Sequence, residues 1–162
     1  VLLGDDITID PPCSGVLRAA HERLGGSVIA LQEVPRDRIG SYGMAVGTEV
    51  DPGIIRLQDL VEKPAASQVR STLATIGRYV LTPGIFPRLR ETKAGKGGEV
   101  QLTDGIRALM EKEDVYGVIY RGRRYDVGDK LGWLAANLEL GMEREDLRAG
   151  LKQFIDTMRR GS

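Results

Sequence analysis

Apolar residues recur at helical spacing in some stretches of this chain and form short continuous runs in others. The two patterns alternate, which predicts strands interleaved with helices. Helical spacing appears in "SGVLRAAHERLGG", where Ser14 suits the N-cap and Gly25 the stop, and again in "LGWLAANLELGMER". This alternation of elements predicts an α/β domain. Apolar runs typical of strands are "VLLGDD", "SVIALQEV", "ATIGRYVL" and "VYGVIYRG".

One pair of strands departs from this alternation because a short turn replaces the helix between them. The runs "MAVGTEV" and "IIRLQDLVEK" are separated by Asp51-Pro52-Gly53, whose residues favour a tight turn. We therefore predict a mixed, mainly parallel, Rossmann-like sheet with helices on both faces, followed by C-terminal helices at about residues 129–160. The segments "PRDRIGSYG", "TKAGKGGE" and "RRYDVGDK" are predicted loops, and Thr103 is predicted to cap the helix "DGIRALMEKE".

The composition limits the classes of protein and partner. The chain has 162 residues, 41% hydrophobic and 28% charged, which is typical of one globular domain. Its 23 basic and 23 acidic residues cancel, so no overall positive field favours nucleic-acid binding. No run approaches the ~18 consecutive apolar residues of a membrane span. With one cysteine, Cys13, and one histidine, His21, we expect neither disulfides nor a zinc cluster, and the cytoplasm is the simplest compartment.

Polar residues at the ends of predicted strands supply the candidate chemistry, since sheets of this type bind ligands there. Each stretch taken alone is most often structural, because adjacent acids usually belong to turns or caps and a Glu-Lys pair is usually solvated. The four stretches are Asp5-Asp6, "SYG" at 41–43, "VEKP" at 61–64 and "YDVGDK" at 125–130.

Together the four stretches offer ligands for a metal, a phosphate and a polyol. Asp5 and Asp126 can hold Mg²⁺, which takes one or two carboxylates together with phosphate oxygens and water. Lys63 supplies a compact cation for a phosphate. Glu62 can accept hydrogen bonds from two vicinal sugar hydroxyls, and Gly43 lets a backbone N–H approach a ring oxygen. The combination favours a nucleotide-sugar site.

Six motifs, in order and spacing, resemble the C-terminal half of the bacterial UTP-glucose-1-phosphate uridylyltransferases, also called UDP-glucose pyrophosphorylases. "VEKP" is shared by nucleotide-sugar pyrophosphorylases in general, whereas "GRYVL", "EVQLTD" and "DVGDKLG" together are distinctive of the uridylyl branch. Many members have proline where Gly4 stands, although glycine is common there in the wider superfamily. The motifs span nearly all of the chain and are "LLGDD", "SYGMA", "LVEKP", "IGRYVLTPGIF", "GGEVQLTDGI" and "YDVGDKLGW".

For catalysis, the resemblance implies that UTP and glucose 1-phosphate give UDP-glucose and pyrophosphate, with Mg²⁺ as cofactor. Asp5 resembles the magnesium ligand, and Asp126 resembles a second acid near the metal and the phosphates. Lys63 resembles the base that contacts the sugar phosphate. We therefore predict Lys63 and Asp5 as catalytic residues, and Asp5 and Asp126 as metal ligands.

For the sugar, the resemblance implies three further contacts. Glu62 resembles the acid that binds the 2- and 3-hydroxyls of the hexose, and Gly43 resembles its backbone contact. Asp6 resembles an acid near the sugar hydroxyls. Glu99 and Gln101 line either the sugar pocket or a subunit contact in such a protein, and we assign neither of them a role.

The nucleotide-binding elements of the family have no counterpart in this sequence. They are a strand followed by a glycine-rich loop G-x-G-T-R and a downstream P-x-T-K, which cradle the triphosphate. We therefore predict that residues 1–162 are the C-terminal, sugar-binding half of one nucleotidyltransferase domain, inactive alone and active within an intact homo-oligomer, dimeric or tetrameric. The alternatives are a thymidylyl, cytidylyl or guanylyl transferase, and a sugar-phosphate-binding module without catalysis.

Overall fold

The computed structural model describes residues 1–69, 71–94 and 98–160, and it divides the chain into two compact units. The larger unit comprises Val1–Leu3 and Ile9–Gly122, and the smaller unit comprises Gly4–Thr8 and Arg123–Ser162. Residues 95–97 of the predicted glycine-rich loop lie outside the described residues.

The elements follow the order that the apolar pattern predicts, with one short strand and one 3₁₀-helix in segments predicted as loops. The 3₁₀-helix is Arg36–Ser41. The strands and α-helices in chain order are β1 (Asp6–Ile9), α1 (Cys13–Leu24), β2 (Ser27–Glu33), β3 (Gly43–Asp51), β4 (Ile54–Glu62), β5 (Leu73–Val80), α2 (Ile85–Glu91), α3 (Leu102–Met110), β6 (Val115–Ile119), β7 (Arg123–Asp126), α4 (Lys130–Glu143) and α5 (Glu145–Arg160).

The predicted hairpin is confirmed in the larger unit. Strands β3 and β4 are antiparallel, and their register places Gly43 opposite Glu62 at one end and Asp51 opposite Ile54 at the other. Gly53 in the turn has a φ of 75°, a left-handed conformation that glycine adopts without strain. The hairpin therefore brings the "SYG" and "VEKP" stretches side by side.

The mixed α/β fold is confirmed, but the sheet of the larger unit is not mainly parallel. Its strands pair in a closed ring in the order β2-β5-β3-β4-β6. Only β2 and β6 form a parallel pair among the described strands of this ring, and the other ladders are antiparallel. Parallel strands need a long crossover connection, and the chain between β2 and β6 includes the helices α2 and α3. The antiparallel strands β3 and β4 are instead joined by a tight turn.

Helices pack against both faces of this sheet, as predicted. Alternate residues of a strand point to opposite faces, and β2 has apolar residues in both sets. Val28 belongs to a buried cluster with Leu17 of α1, while its neighbour Ile29 belongs to a second cluster with Ile106 of α3. The continuous apolar run of β2 is therefore explained by burial on two sides.

In the smaller unit, β1 and β7 form a two-stranded sheet, and α4 and α5 confirm the predicted C-terminal helices. Two sequence predictions are corrected here. The "VLLGDD" strand is wrong, because Leu2 makes only an isolated antiparallel bridge to Arg78 in the larger unit and the strand begins at Asp6. The loop predicted at "RRYDVGDK" contains β7, since pairing with β1 supplies partners that the local sequence does not reveal.

Two predicted N-caps are also wrong. Helix α1 begins at Cys13 after Pro12, and Ser14 lies within its first turn. Helix α3 begins at Leu102 after Gln101, so Thr103 lies inside the helix, and no side chain caps its N-terminus. The Thr103 hydroxyl bonds to another element of the fold, described below. The predicted stop at Gly25 is confirmed, with a φ of 74°.

Candidate functional site

The first group of predicted site residues lies at the end of the β3–β4 hairpin in the larger unit. Gly43 begins β3 and Glu62 ends β4, so the antiparallel register sets them opposite each other. A Cβ atom added to Gly43 would lie 3.1 Å from Oε2 of Glu62 and 3.0 Å from Oγ1 of Thr75, closer than ordinary van der Waals contact. Because residue 43 has no side chain, the polar atoms of Glu62 and Thr75 can both lie close to its backbone.

A threonine from α3 completes this group. Oγ1 of Thr103 donates a hydrogen bond of 2.6 Å to Oε2 of Glu62. The Glu62 side chain is 22% exposed, and Thr75 beside it is buried. The Glu62 carboxylate is thus held at the surface with part of its acceptor capacity facing outwards. Such an arrangement can bind ligand hydroxyls.

Lys63 follows Glu62 in an unusual backbone conformation. Its φ is 42°, in the left-handed region that a residue with a side chain rarely adopts. The Lys63 N–H donates to the carbonyl of Tyr42 at 3.0 Å, and Nζ lies 3.8 Å from Oε1 of Glu62. The lysine side chain is half exposed. Strained residues of this kind cluster at ligand sites, and here the strain accompanies a cation placed beside a carboxylate.

The second group of predicted residues lies in the smaller unit, around Gly128. A Cβ atom added to Gly128 would lie 3.3 Å from Oδ1 of Asp126 and 3.4 Å from Oδ2 of Asp5. The N–H of Val127 donates to the carbonyl of Asp5 at 2.8 Å, which holds the two backbone segments together. The two carboxylates predicted to bind a metal therefore both lie beside Gly128.

Asp6 makes a different contact from its neighbour Asp5. Its carboxylate is bonded to the guanidinium of Arg124, and both side chains are almost fully buried. Arg124 also lies 3.7 Å from Oδ2 of Asp126. Burial raises the pKa of Asp6 above its ordinary value, although the hydrogen bond and the charge of Arg124 act in the opposite direction. Arg124 therefore balances the charge of the acids at this end of the unit.

A cleft of about 420 Å³ opens beside the acid pair in the smaller unit. Gly128 and Lys130 line it together with the apolar side chains of Val127, Trp133 and Leu134. Gly128 thus borders both this cleft, with its cation Lys130, and the two carboxylates.

The structure brings the predicted residues together as two groups, one in each unit. Sequence reasoning missed four other residues of these groups. For Arg124 a signal existed, because it lies two positions before Asp126 and the alternation of a strand sets both on one face. Glu99 is exposed and Gln101 precedes α3, and neither has an assigned role. The larger unit holds Gly43, Glu62 and Lys63, the smaller unit holds Asp5, Asp6 and Asp126, and the missed residues are Thr75, Thr103, Arg124 and Gly128.

Among the helices of residues 1–69, 71–94 and 98–160, none is long and apolar enough to cross a membrane. In the same ranges, no three or more carboxylate, imidazole or thiol side chains are grouped so that they could hold a metal ion.

Comparisons with known proteins match this chain to one family. A family model described as nucleotidyl transferase matches residues 1–142. A Bacillus subtilis (strain 168) protein named UTP–glucose-1-phosphate uridylyltransferase is 40% identical over 157 residues, which cover 96% of this chain and 54% of that protein. A Methanocaldococcus jannaschii protein that carries the same name provisionally is 44% identical over 140 residues, covering 86% of this chain and 50% of that protein.

A solved structure shows the same similarity in three dimensions. A UDP-glucose pyrophosphorylase complexed with UDP-glucose superposes with a TM-score of 0.85 at 35% identity, covering 89% of this chain and 56% of that chain. The chain spans about half the length of the curated relatives that it matches.

Proposed function

The chain belongs to the nucleotidyl transferase family, and we propose that it forms the sugar-phosphate-binding half of a UTP–glucose-1-phosphate uridylyltransferase. One observation carries the proposal: Gly43, Glu62, Lys63 and Thr103 meet at the end of one hairpin. In a protein of its relatives' length, this half would hold glucose 1-phosphate while UTP supplies the uridylyl group.

The hairpin end suits a sugar phosphate because it offers an acceptor and a cation side by side. Glu62, held by Thr103, would accept hydrogen bonds from the 2- and 3-hydroxyls of glucose. Lys63 would contact the phosphate, and its Nζ is already 3.8 Å from the Glu62 carboxylate. The Gly43 backbone would contact the hexose ring beside Glu62 and Thr103, whose side chains lie around the position that a Cβ at residue 43 would occupy.

Asp5 and Asp126 fit Mg²⁺ in this proposal. One carboxylate oxygen of each lies within 3.4 Å of the position that a Cβ at Gly128 would occupy, and Mg²⁺ takes one or two carboxylates with phosphates and water. When bound, Mg²⁺ would neutralise the negative charge of the reacting phosphates. Asp6 would support the acid pair instead of contacting the sugar, because its carboxylate is buried against Arg124.

In the proposed reaction, a phosphate oxygen of glucose 1-phosphate attacks the α-phosphorus of UTP in line. A new oxygen–phosphorus bond forms, the bond from the α-phosphorus to its β-bridging oxygen breaks, and pyrophosphate leaves with that electron pair. Lys63 would neutralise charge on the attacking phosphate, and Glu62 would orient the sugar. Catalysis would then consist of positioning and charge stabilisation, without a covalent enzyme intermediate.

The remaining parts of the proposal concern the setting of the enzyme. Cys13, the chain's one cysteine, is buried and not in a disulfide, which suits a cytoplasmic protein. The balanced charge gives no support to a nucleic-acid partner. We propose a homo-oligomer, dimeric or tetrameric, as the working form. The rival functions are transfer of another nucleotide and sugar-phosphate binding without catalysis.

Calorimetric titration of the chain with glucose 1-phosphate and Mg²⁺ tests the central claim. We expect binding of the sugar phosphate, and a loss of at least about tenfold in affinity in Glu62→Gln and Lys63→Met, because each removes a charged contact. Lys112→Met, which changes an exposed lysine of the same unit, is the matched control. Equal affinities in Lys63→Met and Lys112→Met would contradict the assignment.

Activity assays separate the rival functions. The chain alone is expected to make no UDP-glucose, whereas a version extended to the length of its relatives should do so from UTP. Testing the extended version with TTP, CTP and GTP identifies the preferred nucleotide. Sugar-phosphate binding without turnover of any nucleotide would favour the non-catalytic module.

A further inference from the structure

The Thr103 hydroxyl forms a long-range contact where the sequence favours a local one. A threonine near the start of a helix commonly caps its first turn. Helix α3 instead begins at Leu102 without a side-chain cap, and Thr103 donates to Glu62, which is 41 positions earlier in the chain. The N-terminus of α3 therefore has no side-chain cap, and the Thr103 hydroxyl binds a carboxylate at the end of β4.

This hydrogen bond restrains a flexible side chain. Glutamate loses considerable rotamer entropy when it is fixed, and a ligand that had to fix it would bind more weakly. Threonine is branched at Cβ and therefore has few χ1 rotamers, so its hydroxyl is a well-defined anchor. The distance of 2.6 Å from Oγ1 of Thr103 to Oε2 of Glu62 is that of a strong, charge-assisted bond.

Gly43 is needed for the same contact. A methyl group at this position would lie 3.1 Å from Oε2 of Glu62 and 3.5 Å from Oγ1 of Thr103. Oε1, the other oxygen of Glu62, lies 3.8 Å from Nζ of Lys63. One carboxylate oxygen thus bonds to the α3 hydroxyl, while the other lies next to the cation proposed for the phosphate.

We propose that Thr103 is a positioning residue that fixes the Glu62 carboxylate for recognition of vicinal hydroxyls on the sugar phosphate. The inference rests on the proposed function, since it assigns the selectivity of the proposed sugar site to a residue of α3. A site built from fixed hydrogen-bonding groups discriminates strongly against ligands that lack a hydroxyl. Loss of the Thr103 hydroxyl should therefore reduce selectivity as well as affinity.

The experiment is calorimetry of the chain with glucose 1-phosphate, 2-deoxyglucose 1-phosphate and 3-deoxyglucose 1-phosphate, in the presence of Mg²⁺. In Thr103→Val, which removes the hydroxyl and keeps the shape, affinity for glucose 1-phosphate should fall about tenfold, the low end for a bond to a partly exposed charge. Thr103→Ser restores the hydroxyl and should lie within about threefold of the wild type. Thr157→Val changes an exposed threonine of the smaller unit and is the matched control.

A double-mutant cycle separates positioning from a merely structural role. If Thr103 acts through Glu62, Thr103→Val should cause no further loss of affinity in a Glu62→Ala background, which has no acceptor for the Thr103 hydroxyl. The preference for glucose 1-phosphate over the deoxy sugars should also shrink in Thr103→Val. If that variant does not fold, as judged by circular dichroism, Gly43→Ala perturbs the same bond from the opposite side and should reduce the same preference.

The outcomes are distinguishable. Wild-type binding of glucose 1-phosphate with unchanged affinity and selectivity in Thr103→Val would overturn the role of Thr103 and leave the proposed function standing. Equal losses in the wild-type and Glu62→Ala backgrounds would overturn it too, since the residue would then act independently of Glu62. No binding of glucose 1-phosphate by the wild type would overturn the proposed sugar site, and with it this inference.

Discussion

Replacing Arg124 by methionine perturbs the buried charges of the smaller unit most directly. The Arg124 and Asp6 side chains are only 8% and 7% exposed, and the guanidinium also lies 3.7 Å from Oδ2 of Asp126. Methionine keeps most of the apolar stem and removes the charge. Breaking a buried ion pair by removing one partner typically costs about 3–5 kcal/mol of unfolding free energy, because the remaining charge stays buried.

The variant can avoid a buried unpaired charge by protonating Asp6. The free energy of that protonation therefore sets an upper limit to the loss of stability. Holding a proton at pH 7 on a carboxyl with an ordinary pKa near 3.9 costs roughly 4 kcal/mol, at about 1.36 kcal/mol per pH unit, and roughly 1.5 kcal/mol at pH 5. Without Arg124, the pKa of Asp6 in the folded state rises further, so the folded state binds the proton that the unfolded state releases. The stability of the Arg124→Met variant relative to the wild type therefore falls as the pH rises from 5 to 7. We expect a loss of about 3–4 kcal/mol at pH 7 and of at most about 1.5 kcal/mol at pH 5.

The assay is equilibrium unfolding in urea, in metal-free buffer at both pH values. Fluorescence of Trp133, the one tryptophan of the sequence, reports the smaller unit because it belongs to α4. Arg123→Met is the matched control on the same strand. Arg123 forms an ion pair with Glu143 in which both side chains are about half exposed, so its loss should cost far less than the loss of Arg124. Equal effects of the two variants, or a loss at pH 5 as large as at pH 7, would refute the reasoning.

Three further predictions concern the proposed metal and phosphate contacts. Gly128→Ala places a methyl 3.3–3.4 Å from the Asp126 and Asp5 carboxylates, so it should weaken Mn²⁺ binding, measured by electron paramagnetic resonance. The control Gly150→Ala adds a methyl where there is open space and should leave Mn²⁺ binding unchanged. Asp5→Asn removes one carboxylate charge and should weaken Mn²⁺ binding about tenfold or more, whereas Asp37→Asn in the larger unit should leave it unchanged. In a version extended to the relatives' length, Lys63→Ala should lower kcat by about two orders of magnitude without changing the circular dichroism spectrum; near-normal turnover would remove Lys63 from the mechanism.

The sequence alone determined the elements whose cause is local. The apolar run of β2, the turn at Asp51-Pro52-Gly53 and the stop at Gly25 each depend on a few neighbouring residues, and all three are confirmed. The motifs also indicated the family, which the match of a nucleotidyl transferase family model to residues 1–142 confirms. The pairing of the "SYG" and "VEKP" stretches follows from the hairpin, and therefore also from the sequence.

Tertiary structure decided the partners of residues that are distant along the chain. Local preference predicts that Thr103 caps its own helix and that "RRYD" is a loop, but Thr103 bonds to Glu62 and "RRYD" pairs with β1. Likewise, the spacing of Arg124 and Asp126 sets both on one face of a strand, but only the fold buries the Arg124 guanidinium against Asp6, 118 positions away. The physical reason is that propensity and capping act over one or two turns, whereas burial and hydrogen-bond partners depend on which elements the folded chain brings together.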